Sequence, residues 1–227
     1  DEAASELRRV KEFQVEASEE VLLVIYEMSA RINPSDLAAH RWLAEAYGRR
    51  KDRDGATSQL KLMAAAQERA GDHAALAKTL EGILEVGGEQ IDTLKRLALV
   101  YSRLGMEGKA SSALARAVDA ALALAQLKEA RGMCEAAIDM DPGSLSLRSR
   151  LAMIVNREGD RSAAIEHYRA AAALARGQGK LDGAQQLLLQ LRKLQPDDLV
   201  VRLELADLAL ALGDSNIDPI LRDLTMF

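Results

Sequence analysis

The chain has 227 residues but a single cysteine, only four prolines, and aromatic residues amounting to 3%. Each scarcity excludes something. Cys134 alone forms no internal disulfide, which points to a reducing, cytoplasmic compartment. So few aromatics are too few for a sheet protein, which draws on aromatic and β-branched residues. No apolar run approaches the ~18 residues that a membrane-spanning helix needs. Positive charge is not in excess either: 30 Lys and Arg face 35 Asp and Glu, a net charge of −5. That balance argues against a protein built to coat nucleic acid. Apolar residues make up 48% and charged residues 29%, a composition that is neither disordered nor embedded in a membrane. Ala, Leu, Glu, Arg, Gln and Lys dominate, and these are helix formers.

The prolines mark a repeat. Pro142 and Pro196 stand one interval apart, Pro34 stands two such intervals before Pro142, and Gly88 fills the slot between. The same shift of 54 aligns Leu43, Leu97, Leu151 and Leu205 without an insertion, each followed by Ala (Ala44, Ala98, Ala152, Ala206). Tyr47 meets Tyr101, then Val155 and Ala209; Ala56, Ala110 and Ala164 coincide. Gly105, Gly159 and Gly213 coincide, with Lys51 in the first copy. Within the period, apolar residues recur at spacings of three and four, the spacing of helices. Three helices fit each unit; in the third copy they are expected over residues 144–158, 161–176 and 181–194. Gly residues at helix ends supply left-handed backbone, and Asp or Ser after each proline caps the next helix. The expected fold is all-α, an α-α superhelix of about 3.5–4 three-helix units in which each unit covers its neighbour. The units are residues 1–34 (a partial repeat), 35–88, 89–142, 143–196 and 197–227, the last truncated and ending in a capping helix.

The first two helices of each unit resemble a tetratricopeptide repeat, a helical hairpin of about 34 residues. The resemblance is carried in one copy by Leu94, Leu97, Ala98, Tyr101, Gly105, Ala110, Leu114 and Ala117. In another copy it is carried by Leu43, Ala44, Tyr47, Ala56, Leu60 and Met63. Met63, Ala64, Gln67 and Gly71 repeat the opening-helix pattern, so the second and third helices overlap as a further hairpin. The period departs from the family by one extra helix per unit, which resembles the three-helix variant of large bacterial scaffold proteins. The resemblance implies a protein-binding array, with the opening helix of each hairpin lining the face that holds a partner.

Catalytic chemistry finds no support. His40, His73 and His167 lie in different copies and belong to no HExxH or Cys/His cluster, so no metal and no cofactor is expected. Each is expected as a solvated or hydrogen-bonded surface histidine. Cys134 occupies the apolar slot of Leu80 and Leu188, the setting of a buried, inert thiol. Glu19-Glu20 and Asp197-Asp198 stand at helix starts, where acidic groups complement the dipole. The protein is read as no enzyme.

The opening helices carry two basic ladders at the repeat offset: Trp42, Arg96, Arg150 and Arg49, Arg103, Arg157. The fourth copy breaks both with Glu204 and Ala211. The candidate partner-binding set is Arg41, Trp42, Arg49, Lys95, Arg96, Arg103, Arg150, Met153, Asn156 and Arg157. On an acidic protein such a line suits an acidic protein or peptide partner, with Trp42 as an aromatic anchor. Two alternatives stand beside it: arginines that serve only as a solvated helix face, and Trp42 as a buried wedge. Three functions therefore compete. The first is a scaffold that docks a protein, of which the resemblance offers polarity and motility adaptors contacting small Ras-like GTPases. The second is a structural spacer in a longer solenoid; the third, disfavoured by charge, is a nucleic-acid-binding array. The stretch 1–34 aligns with the second and third helices of a unit. A segment of a longer array or a divergent natural end is the expectation there.

Overall fold

A computed structural model describes residues 18–212. Among them are eleven helices and no strand. The chain divides into two compact units, Asp1–Ala120 and Ala121–Phe227. The first holds α1 (Glu19–Ile32), α2 (Leu37–Arg49), α3 (Arg53–Ala70), α4 (His73–Gly87), α5 (Ile91–Arg103) and most of α6 (Glu107–Ala123). The second holds α7 (Leu127–Met140), α8 (Leu145–Arg157), α9 (Arg161–Gly177), α10 (Leu181–Leu194) and α11 (Leu199–Leu212). The third-copy helices, α8 to α10, begin and end within one residue of their expected bounds. Helices start at Leu37, Ile91, Leu145 and Leu199, at equal intervals along the chain. The start of the expected partial repeat, before residue 18, and the expected cap over residues 217–227 lie outside the described residues.

Within each compact unit every helix packs on the next: α1 through α5 in the first, α7 through α11 in the second. Neighbours run antiparallel, because the end of α2 (Arg49) meets the start of α1 (Glu19), and the start of α7 (Arg131) meets the end of α8 (Glu158). The residues that carry the tetratricopeptide resemblance supply the packing. Leu94, Leu97, Ala98, Tyr101, Ala110, Leu114 and Ala117 are all buried, as are Leu43, Ala44, Ala56 and Met63. Small side chains let helix axes approach closely, and the leucines fill the space between them. In the second compact unit Ala152, Ala171, Ala172, Ala175 and Ala184 interleave with Tyr168, Leu187, Leu188, Leu191 and Leu205 in one cluster.

Both helix ends follow from side-chain chemistry. Asp36, Asp52, Asp72 and Asp160 each accept the backbone N–H three residues on, at 2.9–3.1 Å. At the carboxyl ends, backbone N–H groups reach back five residues, as in Met106 to Tyr101 O (2.9 Å) and Lys180 to Ala175 O (2.9 Å). This closure places one residue in left-handed backbone, held by Gly71, Gly105, Gly159 and Gly179. Two copies use side-chain residues there instead: Lys51 at φ 60° and Ala125 at φ 57°. An L residue in that region is strained by about 1 kcal/mol relative to glycine. Lys51→Gly and Ala125→Gly are each expected to stabilise the protein by about 1 kcal/mol, read as a higher denaturant midpoint. The two turns share no partner, so the gains should add. A lower midpoint for either variant would contradict the strain.

A further tie closes the joint between repeats. Six residues after each proline among the described residues stands a donor to its carbonyl: Arg148 Nη2 to Pro142 O (2.9 Å) and Arg202 Nε to Pro196 O (2.9 Å). In the first copy the donor is His40, whose Nε2 lies 3.2 Å from Pro34 O while Nδ1 lies 2.8 Å from the Gln59 side-chain amide. His40 is thus not a surface residue as expected from the sequence: it is 2% exposed, and its ring replaces water with two fixed partners. Where Gly88 replaces the proline, the sixth residue is Leu94, fully buried and without a donor.

Candidate functional site

The candidate residues lie on three of the opening helices, α2, α5 and α8. On α2, Arg41 is exposed and Trp42 is half-buried. The Trp42 ring stacks on Tyr26 of α1, with centroids 4.4 Å apart and planes 14° apart, so it wedges between two helices. The Arg49 guanidinium stands 5.8 Å from the Trp42 ring and 3.4 Å from Glu19. On α5, Lys95 and Arg103 are exposed and Arg96 is half-buried, with Leu99 54% exposed between them. On α8, in the second compact unit, Arg150 and Met153 are half-buried while Asn156 and Arg157 are exposed. The structure therefore brings Trp42 and Arg49 together, and draws Arg96 to a carboxylate on another helix.

That carboxylate is Glu68 of α3, 2.8 Å from Arg96 Nη2. The same sequence separation recurs two repeats further along, between α9 and α11. Arg176 and Glu204 stand in the same two slots with the signs exchanged, and Arg176 Nη2 donates to the Glu204 main-chain oxygen at 3.4 Å. Leu122 takes the acidic slot before Arg150, whose Nη1 donates to the Ser146 hydroxyl instead. The Arg176–Glu204 contact is to the main chain, so it does not depend on the charge of the Glu204 side chain. A second, slightly longer separation pairs Glu19 with Arg49; its equivalents are His73 with Arg103 and Leu127 with Arg157. Neither equivalent supplies a carboxylate. Arg41, Arg103 and Arg157 accordingly make no ion pair or hydrogen bond with any described residue. Exposed pairs such as Arg96–Glu68 contribute only about 0.2–1 kcal/mol each.

Other polar pairs were not singled out from the sequence. Tyr101 donates its hydroxyl to Glu81, and Tyr47 donates to Glu27 at 2.8 Å, the same spacing in two copies. Burial, then the Glu81 hydrogen bond, pushes Tyr101 up to about 12; the Glu27 hydrogen bond, then burial, raises Tyr47. Lys109 Nζ lies 5.2 Å from the Tyr101 ring. Cys134 is fully buried, and its thiol donates to Leu147 O at 3.2 Å, as suits an inert residue. Gln67 is buried with its Oε1 unpartnered, as is Nδ1 of His73. Among the described residues no group of three His, Cys, Asp or Glu side chains is placed to hold a metal ion. No helix among them is long and apolar enough to cross a membrane.

No family model and no curated protein matches the chain. Solved structures similar to it include MamA (residues 41 to the end) from Desulfovibrio magneticus RS-1. The identity is 21% over 70% of this chain and 96% of that one, with a TM-score of 0.32. A putative kinesin light chain with nearly identical TPR-like repeats from Podosopora anserina is 16% identical, covering 86% of this chain and 95% of that one, with a TM-score of 0.43. A signal-transduction ATPase with a tetratricopeptide repeat sensor from Pyrococcus horikoshii is 15% identical over 91% of this chain and 40% of that one, with a TM-score of 0.44. On the evidence of its own buried Leu, Ala and Tyr positions and the turns that join its helices, the chain is an all-α protein of tetratricopeptide-like helical repeats.

Proposed function

We propose that the chain is a non-enzymatic protein-interaction module, built of three-helix units over 35–88, 89–142 and 143–196, that binds an acidic segment of another protein. The observation that carries this reading is the set of exposed, unpartnered arginines on the opening helices, Arg41, Arg103 and Arg157, on a chain of net charge −5. An unpaired guanidinium is available to form a charge-assisted bond with a carboxylate from outside. Lys95, Met153 and Asn156 flank these positions, and exposed Leu99 offers an apolar contact. Trp42, Arg49, Arg96 and Arg150 act chiefly through their neighbours in the chain. A bacterial polarity or motility adaptor docking a small Ras-like GTPase is the specific form implied by the resemblance. The working compartment in this reading is the cytoplasm, and nucleic acid is not a ligand.

Fluorescein-labelled hexaglutamate is the probe, read by anisotropy at low salt, where exposed charges are least screened. Saturable binding is expected. Reversing Arg41, Arg103 and Arg157 to Glu together should abolish it while far-UV circular dichroism and Tm stay at wild-type values. Binding that survives the reversal would leave these arginines as a solvated face and put the binding site elsewhere, and absence of binding in the wild type would favour the structural-spacer reading.

A further inference from the structure

The corner where α7 meets the end of α8 has changed sign relative to the corner where α1 meets the end of α2. In the first compact unit, Glu19 and Glu20 open α1, and Glu19 lies 3.4 Å from Arg49 and 4.0 Å from Arg50. The residues standing in the places of Glu19 and Glu20 at the start of α7 are Leu127 and Lys128. Arg157 keeps the place of Arg49 but loses the carboxylate that Arg49 holds. Lys128 and Arg157 have no partner among the described residues. Both line a pocket of about 670 Å3, together with Leu127, Gly132 and the Arg131–Glu135–Glu158 group.

Arg131 is not available to a ligand. Its Nε donates to Glu135 at 2.9 Å and its Nη1 to Glu158 at 3.1 Å, and these bonds raise its pKa above the usual arginine range. It serves as a wall that occupies the two acidic side chains and keeps them from Lys128 and Arg157. Gly132 adds no side chain to the opening, and a Cβ there would meet nothing within 4 Å. The pocket thus combines two uncommitted cations with one apolar side chain, Leu127, which stands where the first compact unit has a glutamate.

We propose that this pocket accepts a glutamate or aspartate side chain from a partner peptide, which sits against Arg157 and Lys128 as Glu19 sits against Arg49. The inference rests on the acidic-partner reading above and assigns that partner a specific seat. Leu127 would contact an aliphatic residue beside the acidic one, so the fitting ligand is an acidic peptide with an apolar neighbour. Lys128 and Leu127 were outside the candidate set read from the sequence, because they lie on the third helix of a unit rather than on an opening helix.

Leu127→Glu makes the decisive variant, since it restores inside the chain the carboxylate that the first compact unit has. Leu127 is half-buried in the first turn of α7, where a glutamate also suits the helix dipole. Labelled hexaglutamate is expected to bind Leu127→Glu at least fivefold more weakly than wild type, and Lys128→Gln with Arg157→Gln to show a similar loss. Amide shifts in a 15N spectrum of the wild type should concentrate at Leu127, Lys128, Gly132 and Arg157. If both variants bind like wild type while reversal of Arg41 and Arg103 abolishes binding, the pocket is wrong and the acidic-partner reading stands. If wild type fails to bind at all, that reading falls and the pocket with it. Equal displacement of the peptide by inorganic phosphate at matched ionic strength would overturn the assignment to a carboxylate side chain. Should Leu127→Glu lower the Tm, the double glutamine variant, which alters only exposed side chains, decides the matter.

Discussion

Leu97→Ala should cost the protein about 2–5 kcal/mol, read as a lower denaturant midpoint with an unchanged slope. Leu97 is 1% exposed on α5, and its equivalents Leu43, Leu151 and Leu205 are buried as well. Burying a leucine side chain contributes about 1.5–3 kcal/mol, and truncation adds the cost of the cavity left behind. Collapse around that cavity is limited, because Leu94, Ala98 and Tyr101 on the same helix are already buried in their own places. The control is Leu99→Ala two residues on, where the side chain is exposed and the change should stay within about 0.5 kcal/mol. Equal effects at the two positions would mean that the face of α5 assigned to the core is the wrong one.

Ala171→Phe is expected to be at least as damaging, through the opposite fault. α9 packs against both α8 and α10, and its buried residues are Ala164, Tyr168, Ala171, Ala172 and Ala175. All but Tyr168 are alanines, so the neighbouring helices lie close to the α9 backbone. Ala171 is fully buried in the cluster that includes Leu187, Leu188 and Leu191. Adding methylenes to such a site costs about 1–3 kcal/mol, and a whole phenyl ring belongs at or beyond the top of that range. Ala170→Phe, on the exposed face of the same helix, should unfold near the wild-type midpoint. A stable Ala171→Phe would mean that α9 has room to shift outward, and that the alanines are not what sets its distance from α8 and α10.

The helices and their core were legible in the sequence because both depend on neighbours within a few residues. Apolar spacings of three and four placed α8, α9 and α10, and glycine and proline marked where they stop. The partners of the charged residues were not legible in the same way. Arg96 finds Glu68 on a different helix, far back along the chain, so lining up equivalent slots produced a ladder of arginines and hid the carboxylate that Arg96 answers to. His40 was misread for a related reason. An isolated histidine carries no local signal of burial, and its role depends on a proline carbonyl one and a half turns back and on Gln59 of another helix.

The proline-linked tie also constrains how these units can be recombined. Pro34, Pro142 and Pro196 come with a side-chain donor six places on, whereas Gly88 comes with Leu94, which joins the apolar interior instead. The two positions form one exchangeable cassette. A chimera spliced between residues 88 and 94 would separate its halves. It would either leave a proline carbonyl facing a leucine or press an arginine into the space that Leu94 fills. Crossovers placed inside α3, α6 or α9 leave each joint intact, so the natural seam of this array for engineering runs through the middle of a helix rather than through the turn at its end.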